Sequence, residues 1–250
     1  MENREKAACF YINRPVLKIY SNLMLLSPKE VYNNLMAKYP IFLELSGRRV
    51  VVIGGGTVAV RKAQSLLDAK ARLVVVAEHI DKMMTALCKS KNTELVKSKY
   101  SKEYLAEAVL AIAATNNHKL NQQIYKDCQE LEVLCNVVDD PRFCDFYVPA
   151  VVRRGDLQIA IGTEGHCPAY AGHIRKKLEK IFIEEHGRFL AELQRIRQKI
   201  IDEIPEPAER KTVLGLLVDD ESFDYFVRNG PEQWRNRTDE IINRSIVNRR

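Results

Sequence analysis

Two patterns of apolar residues divide the chain. Between Pro40 and Asn136, short β-branched or apolar runs alternate with stretches of helical spacing. Residues 50–53, 71–76, 93–96, 109–114 and 133–138 read as strands, and the near-continuous apolar character of most of them suits burial on both faces. Residues 60–69 carry Ala63, Leu66 and Leu67 on one side, which predicts a helix; 80–89 and 119–131 predict two more. Strands separated by helices imply right-handed crossovers and a parallel sheet.

After Asn136 the pattern changes. Asp139-Asp140-Pro141 breaks the run. Residues 146–150 and 157–161 predict two further strands, with Arg153-Arg154-Gly155-Asp156 as the turn between them. Lying outside the main sheet, such strands suit pairing with a second subunit. Residues 168–202 are mostly helical, with Leu178, Ile181 and Phe182 on one apolar face and Leu190, Leu193, Ile196 and Ile200 on the next. Pro205 and Pro207 interrupt, 210–217 and 222–227 predict short helices, and Gly230-Pro231 ends one helix and opens another over 232–246. Residues 1–38 read as an extension in which only 28–36, behind Ser27 and Pro28, has a helical signal. Met36 is taken as the natural start on this reading, because the organised pattern begins just after it.

The first strand runs directly into Gly54-Gly55-Gly56-Thr57-Val58-Ala59, a Gly-x-Gly-x-x-Ala turn that opens the first helix. Strand, glycine turn and helix together form the context of a dinucleotide site. Gly54 permits the tight turn, Gly56 lets a pyrophosphate approach the backbone, and Ala59 lets helix and strand pack closely. The N–H groups of the helix start then meet the phosphates. The bland alternative is a glycine turn that binds nothing.

Ligands of parallel sheets sit beyond the carboxyl ends of the strands. That rule gathers Gly54, Gly55, Gly56, Thr57, Val58, Ala77, Glu78, His79, Thr115, Asn116, Asn136, Val137, Val138 and Asp139 around one crevice. Glu78 lies 24 residues after Gly54, where a carboxylate accepts from the ribose hydroxyls of NAD and repels a 2′-phosphate. Lys82 nearby leaves NADP open, and a solvated loop glutamate is the plainer reading of Glu78.

Composition adds mainly exclusions. The chain has 250 residues, 46% hydrophobic and 29% charged, enough for one large or two modest domains with a sizeable core. No window approaches the ~20 apolar residues of a membrane span. The six cysteines form no Cys-x-x-Cys pair, which argues against zinc or a redox dithiol and fits a reduced cytoplasmic setting. The net charge of +6 is too diffuse to argue for nucleic acid. Five histidines show no metal-ligand spacing, so no permanent metal site is expected.

Several stretches, in order and spacing, resemble the precorrin-2 dehydrogenase/sirohydrochlorin ferrochelatase family, the first module of siroheme synthases. They are Tyr39-Pro40-Ile41-Phe42-Leu43, the glycine turn through Arg61-Lys62, Ala111-Ile112-Ala113-Ala114-Thr115, Cys135-Asn136-Val137-Val138-Asp139, Phe146-Tyr147-Val148-Pro149-Ala150 and Cys167-Pro168-Ala169. The resemblance implies an α/β fold: a Rossmann-like NAD-binding domain (39–140), a small dimerisation segment (141–167) and a helical C-terminal domain (168–250). It implies a homodimer that oxidises precorrin-2 to sirohydrochlorin with hydride passing to NAD, and in some members inserts Fe²⁺. Asp139 matches the family's principal catalytic carboxylate. Without the family match, Asp139 reads as a turn residue before Pro141.

At Gly162-Thr163-Glu164-Gly165-His166 the chain departs from the family pattern, with Glu164 and His166 unusual. Thr163 stands where a hydroxyl is common and keeps a role beside substrate. The family's substrate is rich in carboxylates, so Arg142, Arg153, Arg154 and Arg175 are candidate binders, although each also reads as a surface charge. The rival readings are a dehydrogenase without chelatase activity and a non-catalytic NAD-sensing module.

Overall fold

The computed structural model describes residues 38–89 and 93–247, in two compact units, one ending at Tyr147 and the other beginning at Val148. The expected helix over 28–36 lies outside the described residues.

The first unit contains the parallel sheet: β1 (Arg49–Ile53), β2 (Arg72–Val76), β3 (Thr93–Val96), β4 (Leu110–Ala113) and β5 (Leu134–Val137). All four pairings are parallel, and the strand order is β3-β2-β1-β4-β5. Helices α1 (Thr57–Asp68), α2 (Lys82–Lys89) and α3 (His118–Glu130) connect the strands. This is the Rossmann-like arrangement expected.

Side chains on a strand alternate between faces, so each apolar run supplies two cores. Val50, Val52, Leu73, Val75, Leu110 and Ile112 pack against α1 and α2, through Ala59, Ala63, Leu66, Leu67, Met84 and Cys88. Val51, Ile53, Val74, Val76, Ala111 and Ala113 pack the other way, against Ile124, Tyr125 and Cys128 of α3. This double burial explains why the runs show no polar alternation.

Ladder contacts hold the core strands within a residue of the expected bounds. α1 starts three residues earlier than expected, at Thr57, with Gly56 as its cap. Glycine caps a helix without a side-chain signal, which is why periodicity alone placed the start late. After β5 the chain folds back: Asn136 bridges to Cys144, and Asp145 N–H donates to the Cys135 carbonyl at 2.8 Å.

The second unit opens with an antiparallel hairpin, β6 (Ala150–Arg154) and β7 (Leu157–Ile161). Here the expected strand over 146–150 is corrected. The strand begins where that expectation ended, and the turn contracts to Gly155 and Asp156. Pro149 has no N–H to give a ladder, so it sits before the strand. Four helices follow, α4 (Pro168–Ile181), α5 (Glu184–Glu203), α6 (Pro207–Gly215) and α7 (Asp220–Val247). The last is two helices joined at Gly230, whose φ of 81° breaks it where Gly230-Pro231 was expected to. Phe189, Ile196, Ile200, Ile204, Val213, Leu217, Phe226, Trp234 and Ile242 make the core of these helices.

Candidate functional site

In a β3-β2-β1-β4-β5 sheet the chain leaves β1 toward one edge and reaches β4 on the other side. The carboxyl ends of β1 and β4 therefore diverge into a crevice, the topological switch point. A cavity of about 220 Å³ lies there, lined by Val58 of α1, Ala114, Thr115 and Asn116 after β4, His118 and Asn121 of α3, and Val138 and Asp139 after β5.

The three glycines of the turn have different reasons to be glycine. At Gly54, φ is +130° and a Cβ would lie 2.3 Å from the Ala114 carbonyl oxygen. At Gly55 a Cβ would meet the His79 carbonyl oxygen at 2.1 Å, because the 77–81 segment packs on it and Asp81 N–H donates to the Gly55 carbonyl at 3.0 Å. A Cβ at Gly56 would meet no atom within 4 Å. No described residue fills the space in front of Gly56. Gly56 has no side chain to cap α1, and no described residue offers a side-chain acceptor to the N–H groups of its first turn. This is the cradle a pyrophosphate needs, and the residues present fit a dinucleotide.

Thr115 is held by Asn121. Asn121 is buried in the first turn of α3, and Asn117 caps that helix by accepting from Leu120 N–H at 3.1 Å. Asn136 does not line the cavity. It is buried, and its Nδ2 donates to the Phe146 carbonyl at 2.9 Å and to Cys144 Sγ at 3.4 Å. It therefore ties down the loop that carries Asp139.

Asp139 is exposed on the cavity wall with φ of 61°, a left-handed conformation that Asp tolerates better than most residues. Its neighbour Asp140 accepts from Arg142 Nε at 2.9 Å and Nη2 at 3.0 Å. This charged hydrogen bond holds the Asp140 carboxyl below its ordinary range. On α1, burial and the adjacent Arg61 push Lys62 below the usual lysine range.

The other expected site residues fall as follows. Glu78 and His79 are exposed just past β2, on the segment that packs over Gly55. Thr163 belongs to the second unit, and its carbonyl accepts from His166 N–H at 2.8 Å. The arginine forks all have partners. Arg142 holds Asp140, Arg153 donates to Gln158 at 3.2 Å, and Arg175 pairs with Glu179. Arg154 donates to the carbonyls of Phe182 at 2.7 Å and Glu179 at 2.9 Å, closing the end of α4. His118 and Asn121 were not singled out from the sequence. Asn121 left a trace there: it continues the buried stripe of Ile124 and Cys128, where a polar residue is out of pattern.

Comparisons with known proteins agree with this geometry. Residues 41–150 match a family model described as putative NAD(P)-binding. A siroheme synthase of Psychrobacter arcticus is 36% identical over 176 residues, which is 70% of this chain and 32% of the relative. One from Pseudomonas putida strain W619 is 39% identical over 172 residues, 69% of this chain and 37% of the relative. Siroheme synthase 1 of Aeromonas hydrophila is 31% identical over 194 residues, covering 78% and 42%. The chain thus spans well under half the length of these relatives. The solved structure of SirC, a precorrin-2 dehydrogenase, superposes with a TM-score of 0.68 over 81% of this chain and 100% of that one, at 24% identity, and shares the fold. Over the stretch it has in common with them, the chain is similar to the siroheme synthases and carries a region that matches the NAD(P)-binding family model.

Proposed function

We propose that the chain is an NAD-dependent dehydrogenase that oxidises precorrin-2 to sirohydrochlorin in siroheme synthesis. One observation carries the reading: Asp139 stands on the wall of a cavity at the switch point, on the sheet end where the open cradle of Gly56 starts α1.

NAD, when bound, supplies the hydride acceptor. In this reading the N–H groups at Thr57 and Val58 hold its pyrophosphate, and Glu78 accepts from its ribose hydroxyls. Thr115 and Asn116 line the far wall. Forming the new double bond removes a hydride and a proton from the substrate. Asp139 is the base that takes the proton. Its position on a short loop, tied at Asn136 and Asp145, keeps it aimed at the cavity.

Iron insertion is proposed as an additional activity, because it also requires bases to remove pyrrole N–H protons. Among the described residues no group of three or more His, Cys, Asp or Glu stands ready to hold a metal. Fe²⁺ would then enter as a substrate taken up by the macrocycle. We also assign residues 141–167, which include the β6–β7 hairpin, to pairing with a second copy.

The test is anaerobic incubation with precorrin-2 and NAD, following NADH and the tetrapyrrole spectrum, then addition of Fe²⁺ or Co²⁺. NADH formation by wild type and its loss in Asp139→Asn, with NAD affinity kept, is the expected result. Metal insertion no faster than the enzyme-free control would leave the protein a dehydrogenase alone. Binding of NAD without any NADH formation would make it a sensor.

A further inference from the structure

Asp139 sits in a turn whose closing bond is long: Asp140 N–H reaches the Val137 carbonyl only at 3.4 Å. Its φ of 61° is one that a residue other than glycine keeps only where its surroundings impose it. Cys144 supplies that imposition. Its Sγ donates to the Val137 carbonyl at 3.2 Å and to the Asp140 carbonyl at 3.4 Å. One thiol proton is thus shared by the two carbonyls that flank Val138 and Asp139. Asn136 Nδ2 donates to the same sulfur at 3.4 Å, which anchors it to β5.

Two further observations give this clasp a purpose. Val138 and Asp139, the two residues it encloses, are the residues of this loop that line the cavity. Cys144 is not on that wall, so it reaches the cavity only through the backbone it holds. Burial also pushes the thiol above its ordinary range, so it keeps the proton it donates at neutral pH.

We propose that Cys144 is a positioning residue for Asp139: its thiol ties together the carbonyls on either side of Val138 and Asp139 and so sets the direction in which Asp139 meets the substrate. This deepens the function proposed above and rests on it. The plain alternative is that the sulfur only fills space against the apolar cluster of Ile124, Tyr125 and Cys135, a task for which alanine or valine serves at least as well as serine.

Three variants of the full chain separate these. Cys144→Ser keeps a donor; Cys144→Ala and Cys144→Val remove it. The first measurement needs no activity: amide hydrogen exchange across residues 137–143. Exchange is expected to be about tenfold faster in Cys144→Ala and Cys144→Val, and within about threefold of wild type in Cys144→Ser. Equal exchange in all four proteins overturns the proposal, as does fastest exchange in Cys144→Ser. The second is NADH formation. Cys144→Ala is expected to lower kcat about tenfold, with the KM for precorrin-2 and the Kd for NAD within about twofold of wild type, and Cys144→Ser to recover kcat to within about threefold. A kcat at the wild-type value in Cys144→Ala and below it in Cys144→Ser overturns the proposal too, leaving the sulfur a packing group. Donor-dependent exchange in a wild-type protein that forms no NADH would sink the dehydrogenase reading and leave the clasp standing.

Discussion

Asn121 clasps Thr115 with both ends of its carboxamide. Its Oδ1 accepts from Thr115 Oγ1 at 2.6 Å and from Thr115 N–H at 3.3 Å, and its Nδ2 donates to the Thr115 carbonyl at 3.0 Å. One buried side chain therefore sets the turn that forms a wall of the cavity. Asn121→Ala leaves these groups without partners and is expected to destabilise the protein by roughly 1–3 kcal/mol. Urea unfolding checks the stability, and NAD titration is expected to show weaker binding in the same variant.

The glycine turn offers a paired test of fold against function. Gly54→Ala would put a Cβ against backbone, in a φ that side chains rarely adopt, so a loss of the order of 3 kcal/mol is expected. Gly56 has φ of −84° and ψ of −178°, which alanine adopts freely. Gly56→Ala is expected to keep its stability within about 0.5 kcal/mol while weakening NAD roughly tenfold. Equal NAD affinity in Gly56→Ala and wild type would remove the pyrophosphate from this turn.

Acid sensitivity should report the Asp140–Arg142 contact. The folded carboxyl is held below its unfolded value of ~3.9, so the contribution is complete above that value and is lost as pH falls through the folded one. Arg142→Gln is expected to flatten the dependence of stability on pH below about pH 4. Urea midpoints collected across that range give the slopes directly.

The helical unit rests on Trp234. It is fully buried, donates from Nε1 to Ser222 Oγ at 2.9 Å and meets Phe189 edge-on at 5.2 Å between ring centroids. Trp234→Ala is expected to cost about 3–5 kcal/mol, read by far-ultraviolet circular dichroism during urea unfolding. Because the chain has a single tryptophan, intrinsic fluorescence reports the surroundings of this residue alone.

These residues also show what the sequence revealed and what it withheld. The strands were legible because burial on both faces demands uninterrupted apolar runs, and Val50, Val51, Val52 and Ile53 are such a run. Gly54 and Gly56 were legible because their motif appears between a strand and a helix. The β6 boundary was not, because apolar Phe146 and Val148 resemble a strand while Pro149 keeps them out of the ladder. Asn121 and His118 were harder still. Each is a polar residue on a helix, which a linear pattern assigns to solvent. Asn121 is set apart by its bonds to Thr115, and His118 by its place on the cavity wall that also carries Val138 and Asp139.

The fold-back after β5 bears on the dynamics of the site. Asp145 grips Cys135 from both sides: its N–H donates to the Cys135 carbonyl, and its carboxylate accepts from the Cys135 N–H at 2.9 Å. Gln129 adds a further donor to that carboxylate at 2.9 Å. The segment bearing Asp139 is thus a small ring stapled at its base to a central layer of the protein. A ring of this kind has little freedom left to surrender when ligands arrive, so the entropy of fixing the proposed base is settled at folding. Binding and chemistry then meet a wall that is already in place, and cutting the staple would slow the reaction without removing any atom that touches the substrate.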